Sequence, residues 1–537
     1  MSLIAAFAGG VSPAADVTLA AEHALEPGPV PDPMEAPDAH PRVSCLVGHP
    51  TDRSVTLSVE AQQAIDLYVE YLAGQTPKQT KAITLKPKTP TEITIDGLEP
   101  DRLYHYRLHI RLPGKGDFQM AGEAVFQTQR KPGDTFTFCV QGDSHPERAG
   151  RMFDAALYRR ALANVAADKP DFYFLLGDDF SIERLIERAD KSQDAVNAIY
   201  AAQRAYLETV GRSTPLMLVN GNHEQAAKYL LDGTANNFAV LAGRARNDFF
   251  PLPAPDGFYS GNKTPVEHVG LLRDYYAWDW GDALFVVIDP YWHSDVPVDN
   301  EAGTKAPAKD QPDGARRGKG KAADQAGDQP RAGRGQRDLW QITLGDEQYQ
   351  WLRETLTRSR APFKFVFSHH VLGTGRGGIE QATKYEWGGD DRRGIDRFFA
   401  MRPKWEKPIH DLMRDTGVTI FFQGHDHLYA KQELDGVIYQ TCPNPADPTF
   451  TAFNRQSYTA GDIFPNSGHL RITVSGKQGS KLPACKVEYI RAARPEDEAD
   501  HGKNASIVHE YTLHPRALSP APAPAPHNTP KPEDPAR

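Results

Sequence analysis

The spacing of apolar residues changes character along the chain, and the changes mark its parts. From Arg42 to about residue 128 the period is two. Val55, Leu57 and Val59 alternate with polar residues, as do Ile65, Leu67, Val69 and Tyr71, then Ile83 and Leu85, Ile93 and Ile95, and Tyr104, Tyr106, Leu108 and Ile110. Short alternating strands separated by turn residues predict a β-sandwich of about 90 residues. Tyr104 and Tyr106 fall on the apolar side of this alternation.

Beyond Phe136 the apolar runs become continuous. Residues 136–140, 172–176, 216–219, 283–288, 363–367 and 418–422 are short and apolar throughout, which predicts strands covered on both faces. Helical spacing lies between them, over 155–167 and over 347–360, the latter with Tyr349, Leu352 and Leu356 on one side. Strands alternating with helices predict a layered α/β domain, spanning about 131–515.

The remaining segments carry little apolar surface. Residues 1–41 are rich in Ala, Pro and acidic side chains and read as a leader or linker that gains too little from burial to offset ordering. Residues 300–336 contain no Val, Ile, Leu, Met, Phe, Trp or Tyr, and eight Lys or Arg stand there against five Asp or Glu. They read as a disordered insertion in the α/β domain. The end, 516–537, is Pro-rich, with seven prolines after residue 518, and reads as an extended tail. The expected order is therefore leader 1–41, sandwich 42–130, catalytic domain 131–515 and tail 516–537.

Composition narrows the classes. The chain has 537 residues and a net charge of −9, so nothing global points to nucleic acid. No apolar run approaches the ~20 residues of a membrane-spanning helix. Four cysteines exclude a disulfide-built scaffold, although a Cys442–Cys485 pair is possible. The apolar start, Met1 to Val11, is a weak secretory signal without the usual preceding Lys or Arg. Secreted, periplasmic and cytoplasmic placements all stay open.

Five blocks at or just beyond the apolar strands carry the chemistry. They are Gly142-Asp143-Ser144-His145, Gly177-Asp178-Asp179, Gly221-Asn222-His223-Glu224, Ser368-His369-His370 and Gly424-His425-Asp426-His427. In an α/β sheet, sites form where strands end. Carboxylate, amide oxygen and imidazole suit divalent metals and ferric iron, and one Asp can bridge two cations. Each block alone is commonplace; five in succession, each after a strand, point to one metal site. The glycines ahead of Asp143, Asp178, Asn222 and His425 are expected to let the backbone turn sharply.

These blocks resemble the calcineurin-like metallophosphoesterase superfamily, with its D-x-H, G-D, G-N-H-[D/E], H and G-H-x-H pattern. With the fibronectin-III-like sandwich in front, the chain is similar to purple acid phosphatases and their relatives over about residues 42–447. The resemblance implies a four-layer catalytic domain, a β-sandwich flanked by helices, and two metal ions, Fe, Zn or Mn. By motif, Asp143, His145, Asp178 and His427 would hold the first, and Asp178, Asn222, His369 and His425 the second. His370 adjoins His369 and leaves the fourth block ambiguous, with His369 favoured. His223 would stabilise the transition state or protonate the leaving oxygen. The implied reaction is in-line hydrolysis of a small phosphate ester by metal-activated hydroxide, monoester slightly ahead of diester or nucleotide. Arg148 and Arg376 are candidate phosphate clamps, and Trp387 is as readily a packing residue as a pocket wall.

The sequence departs from the purple enzymes. His145 stands where they carry glycine, and Ser181 where they carry the iron-binding tyrosine, so no tyrosinate charge-transfer band is expected. Some members of the superfamily orient the G-N-H histidine with an Asp at the Ser181 place; here Asp179 or Glu224 is the expected substitute. Two other readings remain: a non-catalytic surface-binding protein with a vestigial phosphatase domain, which loss of a ligand would favour though none is lost, and a nuclease, which lacks a basic groove.

Overall fold

The computed structural model describes residues 42–73, 76–298, 338–372, 375–477 and 482–516. The leader, the insertion at 300–336 and the tail beyond Arg516 lie outside the described residues.

The period-two segment forms two antiparallel sheets. Strands Val43–Gly48, Ser54–Ala61 and Thr91–Asp96 make one, with Leu57 opposite Ile93. Strands Thr76–Gln79, Ile65–Ala73, Leu103–Arg111 and Gln119–Gln127 make the other, with Ile83–Leu85 beside Ile65–Ala73. The alternating residues face each other between the sheets: Val55, Leu57 and Val59 from the first, Leu67, Val69, Leu108 and Ile110 from the second, all buried. Tyr104 is a corner residue: its hydroxyl accepts the Glu99 N–H at 2.8 Å and closes the turn before its own strand. Tyr106 is also buried, and its hydroxyl donates to the Arg212 carbonyl at 2.6 Å, in the neighbouring α/β layers.

The continuous apolar runs form two sheets packed face to face. The first has six strands in the order Leu216–Leu218, Phe172–Leu175, Phe136–Gln141, Gly468–Ser475, Ala484–Arg491, Ile507–Leu513. Its first three are parallel and the rest antiparallel. The second has eight strands, with Ala283–Val287, Phe363–Phe367, Ile420–Gln423 and Val437–Thr441 parallel at its centre. Residues on one face of each strand fill the space between the sheets: Phe138, Phe174, Phe285, Phe367 and Phe422 are fully buried there, and the rings of Phe174 and Phe367 stack with centroids 3.8 Å apart. A side chain of this size contributes about 1.5–3 kcal/mol on burial. The opposite face of each strand meets helices. Cys139, between Phe138 and Val140, packs with Tyr158, Leu162 and Leu207 of helices Ala155–Asp168 and Gln193–Gly211. Val366 and Phe421 meet Leu352, Leu356 and Leu412 of helices Gly345–Arg358 and Ile409–Thr416. Burial on both faces explains why these strands read as unbroken apolar runs, and the result is the expected four-layer α/β/β/α stack.

The sandwich is joined to the stack by Arg204, which is 1% exposed. Its guanidinium donates to the Ser44 and Ser58 hydroxyls at 3.1 and 3.0 Å, to the Ser58 carbonyl at 2.6 Å and to the Phe249 carbonyl at 2.5 Å, with Glu60 3.6 Å away.

Two readings left open by the sequence are decided by the fold. Cys442 and Cys485 do not pair; both are free thiols in the core between the sheets. Trp387 does not line a pocket. It is buried against Phe421, and its indole N–H donates to the Tyr439 hydroxyl at 2.8 Å.

Candidate metal centre

The five blocks sit at the carboxyl ends of parallel strands from both sheets. Asp143 follows Phe136–Gln141, Asp178 follows Phe172–Leu175 and Asn222 follows Leu216–Leu218 in one sheet; His369 follows Phe363–Phe367 and His425 follows Ile420–Gln423 in the other. Because the sheets pack face to face, the ends of the two strand sets meet along one edge.

All seven residues singled out as ligands, together with His223, converge there. The Asp143 carboxylate accepts the His425 backbone N–H at 2.6 Å with Oδ1, and its Oδ2 is 3.0 Å from His427 Nε2 and 3.6 Å from His145 Nε2. Asp178 is central: its Oδ2 lies 3.2 Å from His369 Nε2, 3.7 Å from His145 Nε2 and 3.8 Å from His223 Nε2. His369 Nε2 is also 3.0 Å from Asn222 Oδ1 and 3.2 Å from His425 Nδ1. His370 instead lies 3.2 Å from the Tyr291 hydroxyl, so the ambiguity in the fourth block resolves geometrically toward His369.

Three overlapping groups of ligand atoms each lie within 4.8 Å of one another: Asp143 with His145 and His427, Asp143 with Asp178, His369 and His425, and His145 with Asp178 and His223. The donor set fits metal ions. Asp143, His145, Asp178, His369, His425 and His427 are all fully or almost fully buried, and the histidine nitrogens crowd one another, an arrangement that only a shared proton or a cation relieves. The carboxylates respond accordingly. Burial would raise both, but the facing His369 and His427 hold Asp143 well below the usual carboxylate range, and His369 and His223 do the same for Asp178. His369 is pushed up to about 10 against the effect of burial by Asp178 and Asp143. His145 rises likewise to about 10 through Asp143 and Glu147. His427 goes down to about 3, through burial and the neighbouring His145 and Arg148.

The backbone is contorted to bring these groups together. His145, Asp178, His425 and His427 all have left-handed φ, at 51°, 61°, 66° and 53°. Such conformations cost non-glycine residues on the order of 1 kcal/mol or more each and cluster at functional sites. The glycines serve two different ends. Gly177, at φ 95°, makes the sharp turn expected of it. Gly221 and Gly424 have no positive φ and are required by proximity: a Cβ on Gly221 would strike Asp178 Oδ1, and one on Gly424 would come 2.5 Å from Asp143 Oδ1.

The supporting residues differ from those expected. Glu224 does not reach His223. Its carboxylate accepts backbone N–H groups of Asp178, Asp179, Phe180 and Gly221 at 2.7–3.0 Å, lashing the second and third blocks together. Asp179 is turned toward Ser144, whose hydroxyl donates to it at 2.5 Å, and toward Gln141 at 2.9 Å. The group beside His223 is Glu183, with Oε2 2.9 Å from Nδ1, off the line of a well-aligned hydrogen bond. It lies two residues beyond the place where the superfamily resemblance directs attention, on the short helix Glu183–Glu187, and only an unusual acidic residue close after the second block could have signalled it. Glu147, likewise missed, holds His145 Nδ1 at 2.8 Å.

Above the cluster is an open cavity of about 230 Å³ lined by polar side chains, among them His223, Glu183, Arg148 and Arg376. Arg148 Nη2 donates to His223 Nε2 at 3.0 Å. Arg376 Nη1 donates to the His425 carbonyl at 2.9 Å and to Asp426 at 3.0 Å.

Residues 136–304 match the calcineurin-like phosphoesterase family. Among solved structures, the chain is similar to the purple acid phosphatase PPD1 of yellow lupin (Lupinus luteus), at 15% identity and a TM-score of 0.53, covering 88% of this chain and 74% of the lupin chain. That likeness is one of fold. It is also similar to GAP50 of Plasmodium, the anchor in the inner membrane complex, at 11% identity, with 72% of this chain and 90% of the other covered; at a TM-score of 0.35 the match is too loose to argue from. No curated protein matches the chain by sequence.

Proposed function

From the premise that the chain carries a calcineurin-like metallophosphoesterase domain, and is a hydrolase of phosphoric esters, we propose that it hydrolyses phosphomonoesters at a dinuclear metal centre. Asp143, His145, Asp178 and His427 would hold one ion, and Asp178, Asn222, His369 and His425 the other. Such ions supply Lewis-acid polarisation of the phosphoryl group and an activated water.

The residues of the chain contribute binding, orientation and a proton. Arg148 and Arg376 stand on the cavity wall, where two guanidinium groups can receive the phosphoryl oxygens. This pair is the observation that carries the monoester reading, since a monoester brings a dianion where a diester brings a single charge. His223 lines the same cavity with Nε2 facing Asp178 and accepting from Arg148; once the phosphoryl group takes up the Arg148 guanidinium, a protonated Nε2 delivers a proton to the departing oxygen or stabilises its charge. Glu183 beside Nδ1 fixes the ring orientation.

Elemental analysis of the purified protein, followed by hydrolysis of p-nitrophenyl phosphate and bis-p-nitrophenyl phosphate, tests the reading. A monoester preference, lost selectively in Arg376→Ala, is expected. A preference for the diester would replace the monoester assignment with a phosphodiesterase one, and Asp178→Asn retaining full turnover would reject the bridging role of Asp178.

A further inference from the structure

Asp426 stands between His425 and His427, but its carboxylate belongs to none of the clustered ligand groups. Oδ1 accepts from Arg376 Nη1 at 3.0 Å, and Oδ2 accepts the Gly377 backbone N–H and the Tyr458 hydroxyl, each at 2.7 Å. The Asp426 backbone carbonyl accepts the Asn454 side-chain amide at 3.0 Å. Asp426 and Tyr458 are 1% and 3% exposed, and neither lines the cavity above the metal centre. Neither can touch a substrate held there. Arg376 can: its side chain is 40% exposed and lines the cavity.

The hydrogen bonds behind Asp426 run in one direction. The single Tyr458 proton goes to Asp426, so the Thr441 hydroxyl, 2.9 Å away, donates to the Tyr458 oxygen, and Gln423 Nε2 donates to Thr441 Oγ1 at 2.9 Å. Gln423 and Thr441 lie opposite each other at the ends of adjacent parallel strands. Gln423 Nε2 also donates to the Gly377 carbonyl at 3.2 Å. The strand ends therefore grip Gly377 at its carbonyl, and Asp426 grips it at its N–H. Gly377 has φ 109°, and a Cβ on it would come 2.8 Å from the Ser457 carbonyl oxygen, so a glycine is needed for the loop to lie on the segment carrying Tyr458. A satisfied, buried polar network of this kind is stiff. A side chain anchored on it loses less conformational freedom when it captures a ligand.

We propose that Asp426, braced by Tyr458, is a positioning residue that fixes Arg376 to receive the phosphoryl group. This rests on the reading of Arg376 as a phosphate clamp. Removing the brace leaves the guanidinium in place but lets it wander, so phosphate is held less well in the ground state and the transition state alike. Such a loss raises KM and spares kcat.

The test is a double-mutant cycle on the metal-loaded full-length protein. It is read as kcat and KM for p-nitrophenyl phosphate, as the affinity for inorganic phosphate by calorimetry, and as metal content. Tyr458→Phe, which removes one hydroxyl, and Asp426→Asn should each raise KM and weaken phosphate binding about three- to tenfold. Metal content and kcat should stay close to those of the native chain. In an Arg376→Ala background neither substitution should have a further effect, because both act through the guanidinium. Effects that multiply with Arg376→Ala overturn the proposal, as does an unchanged KM in both Tyr458→Phe and Asp426→Asn; a raised KM in Arg376→Ala alone would then leave the clamp standing without its brace. Loss of metal together with kcat would also overturn it and assign Asp426 to the His425–His427 turn. An Arg376→Ala variant with native KM and native phosphate affinity would reject the clamp itself, and the brace with it.

Discussion

The Nε2 atoms of His145 and His427 stand 3.0 Å apart, and both rings are buried. Two neutral imidazoles can share one proton at that distance, but Asp143 Oδ2, 3.0 Å from His427 Nε2, adds a third ligand atom to the same point. A cation satisfies all three at once. His427→Ala should therefore lower the metal content of the purified protein and reduce phosphoester turnover on the order of 10²-fold or more. Metal analysis and p-nitrophenyl phosphate hydrolysis read the two effects together. Full metal occupancy in the variant would remove His427 from the ligand set.

Glu183 and His223 give a separable prediction. Glu183 contacts no proposed metal ligand, so Glu183→Gln should leave metal content and KM nearly unchanged. It should lower kcat about 10–100-fold by freeing the imidazole to rotate. Glu183→Asp should recover part of the loss. An unaltered kcat in Glu183→Gln would mean that Arg148, at Nε2, orients the ring alone.

Much of this architecture was legible in the sequence because burial leaves a periodic trace. The alternation of Val55, Leu57 and Val59 gave the sandwich, and the unbroken runs ending near Asp143 and Asp178 gave strands covered on both faces. The ligands were legible because each is tied to its strand end by position along the chain. What stayed hidden depends on approaches between segments distant in sequence. Only its place soon after the second block hints at Glu183 as the neighbour of His223, and Gly424 looks like a turn glycine until the Asp143 carboxylate is seen against it. The same limit applied to Cys442 and Cys485, which share a core without pairing.

Arg204 couples the sandwich to the catalytic layers. Replacing it with Met removes the hydrogen bonds to Ser44, Ser58 and Phe249 and leaves Glu60, 8% exposed, without its charge partner. Stranding a buried charge in this way costs about 3–5 kcal/mol. Arg204→Met should lower the urea midpoint accordingly, and Arg204→Met with Glu60→Leu should recover a large part of the loss. If the double variant is no more stable than the single one, the cost lies in the hydrogen bonds rather than in the abandoned carboxylate.

Lys364 supplies a dependence on pH remote from the metal centre. Its side chain is 3% exposed, and its ammonium donates to the Leu356 and Thr416 carbonyls at 2.9 and 2.7 Å. Burial, reinforced by Arg360 and only partly opposed by Asp279, brings it from 10.5 down to about 8. Below pH 8 the folded and unfolded chains both hold this proton, and the fold carries the full cost of a buried ammonium. Between pH 8 and 10.5 the folded chain releases the proton first, so the unfolded chain binds more protons and stability rises with pH. Above that range the contribution is level. Other groups titrate over the same interval, so the informative quantity is the stability difference between the native chain and Lys364→Met, from urea unfolding at pH 7.5 and pH 10 (roughly the span over which the proton is lost). The native chain should gain about 1–2 kcal/mol on the variant over that interval once solvent screening is allowed for. A difference that stays constant, or moves the other way, would show that the two carbonyls hold the ammonium as well as water does.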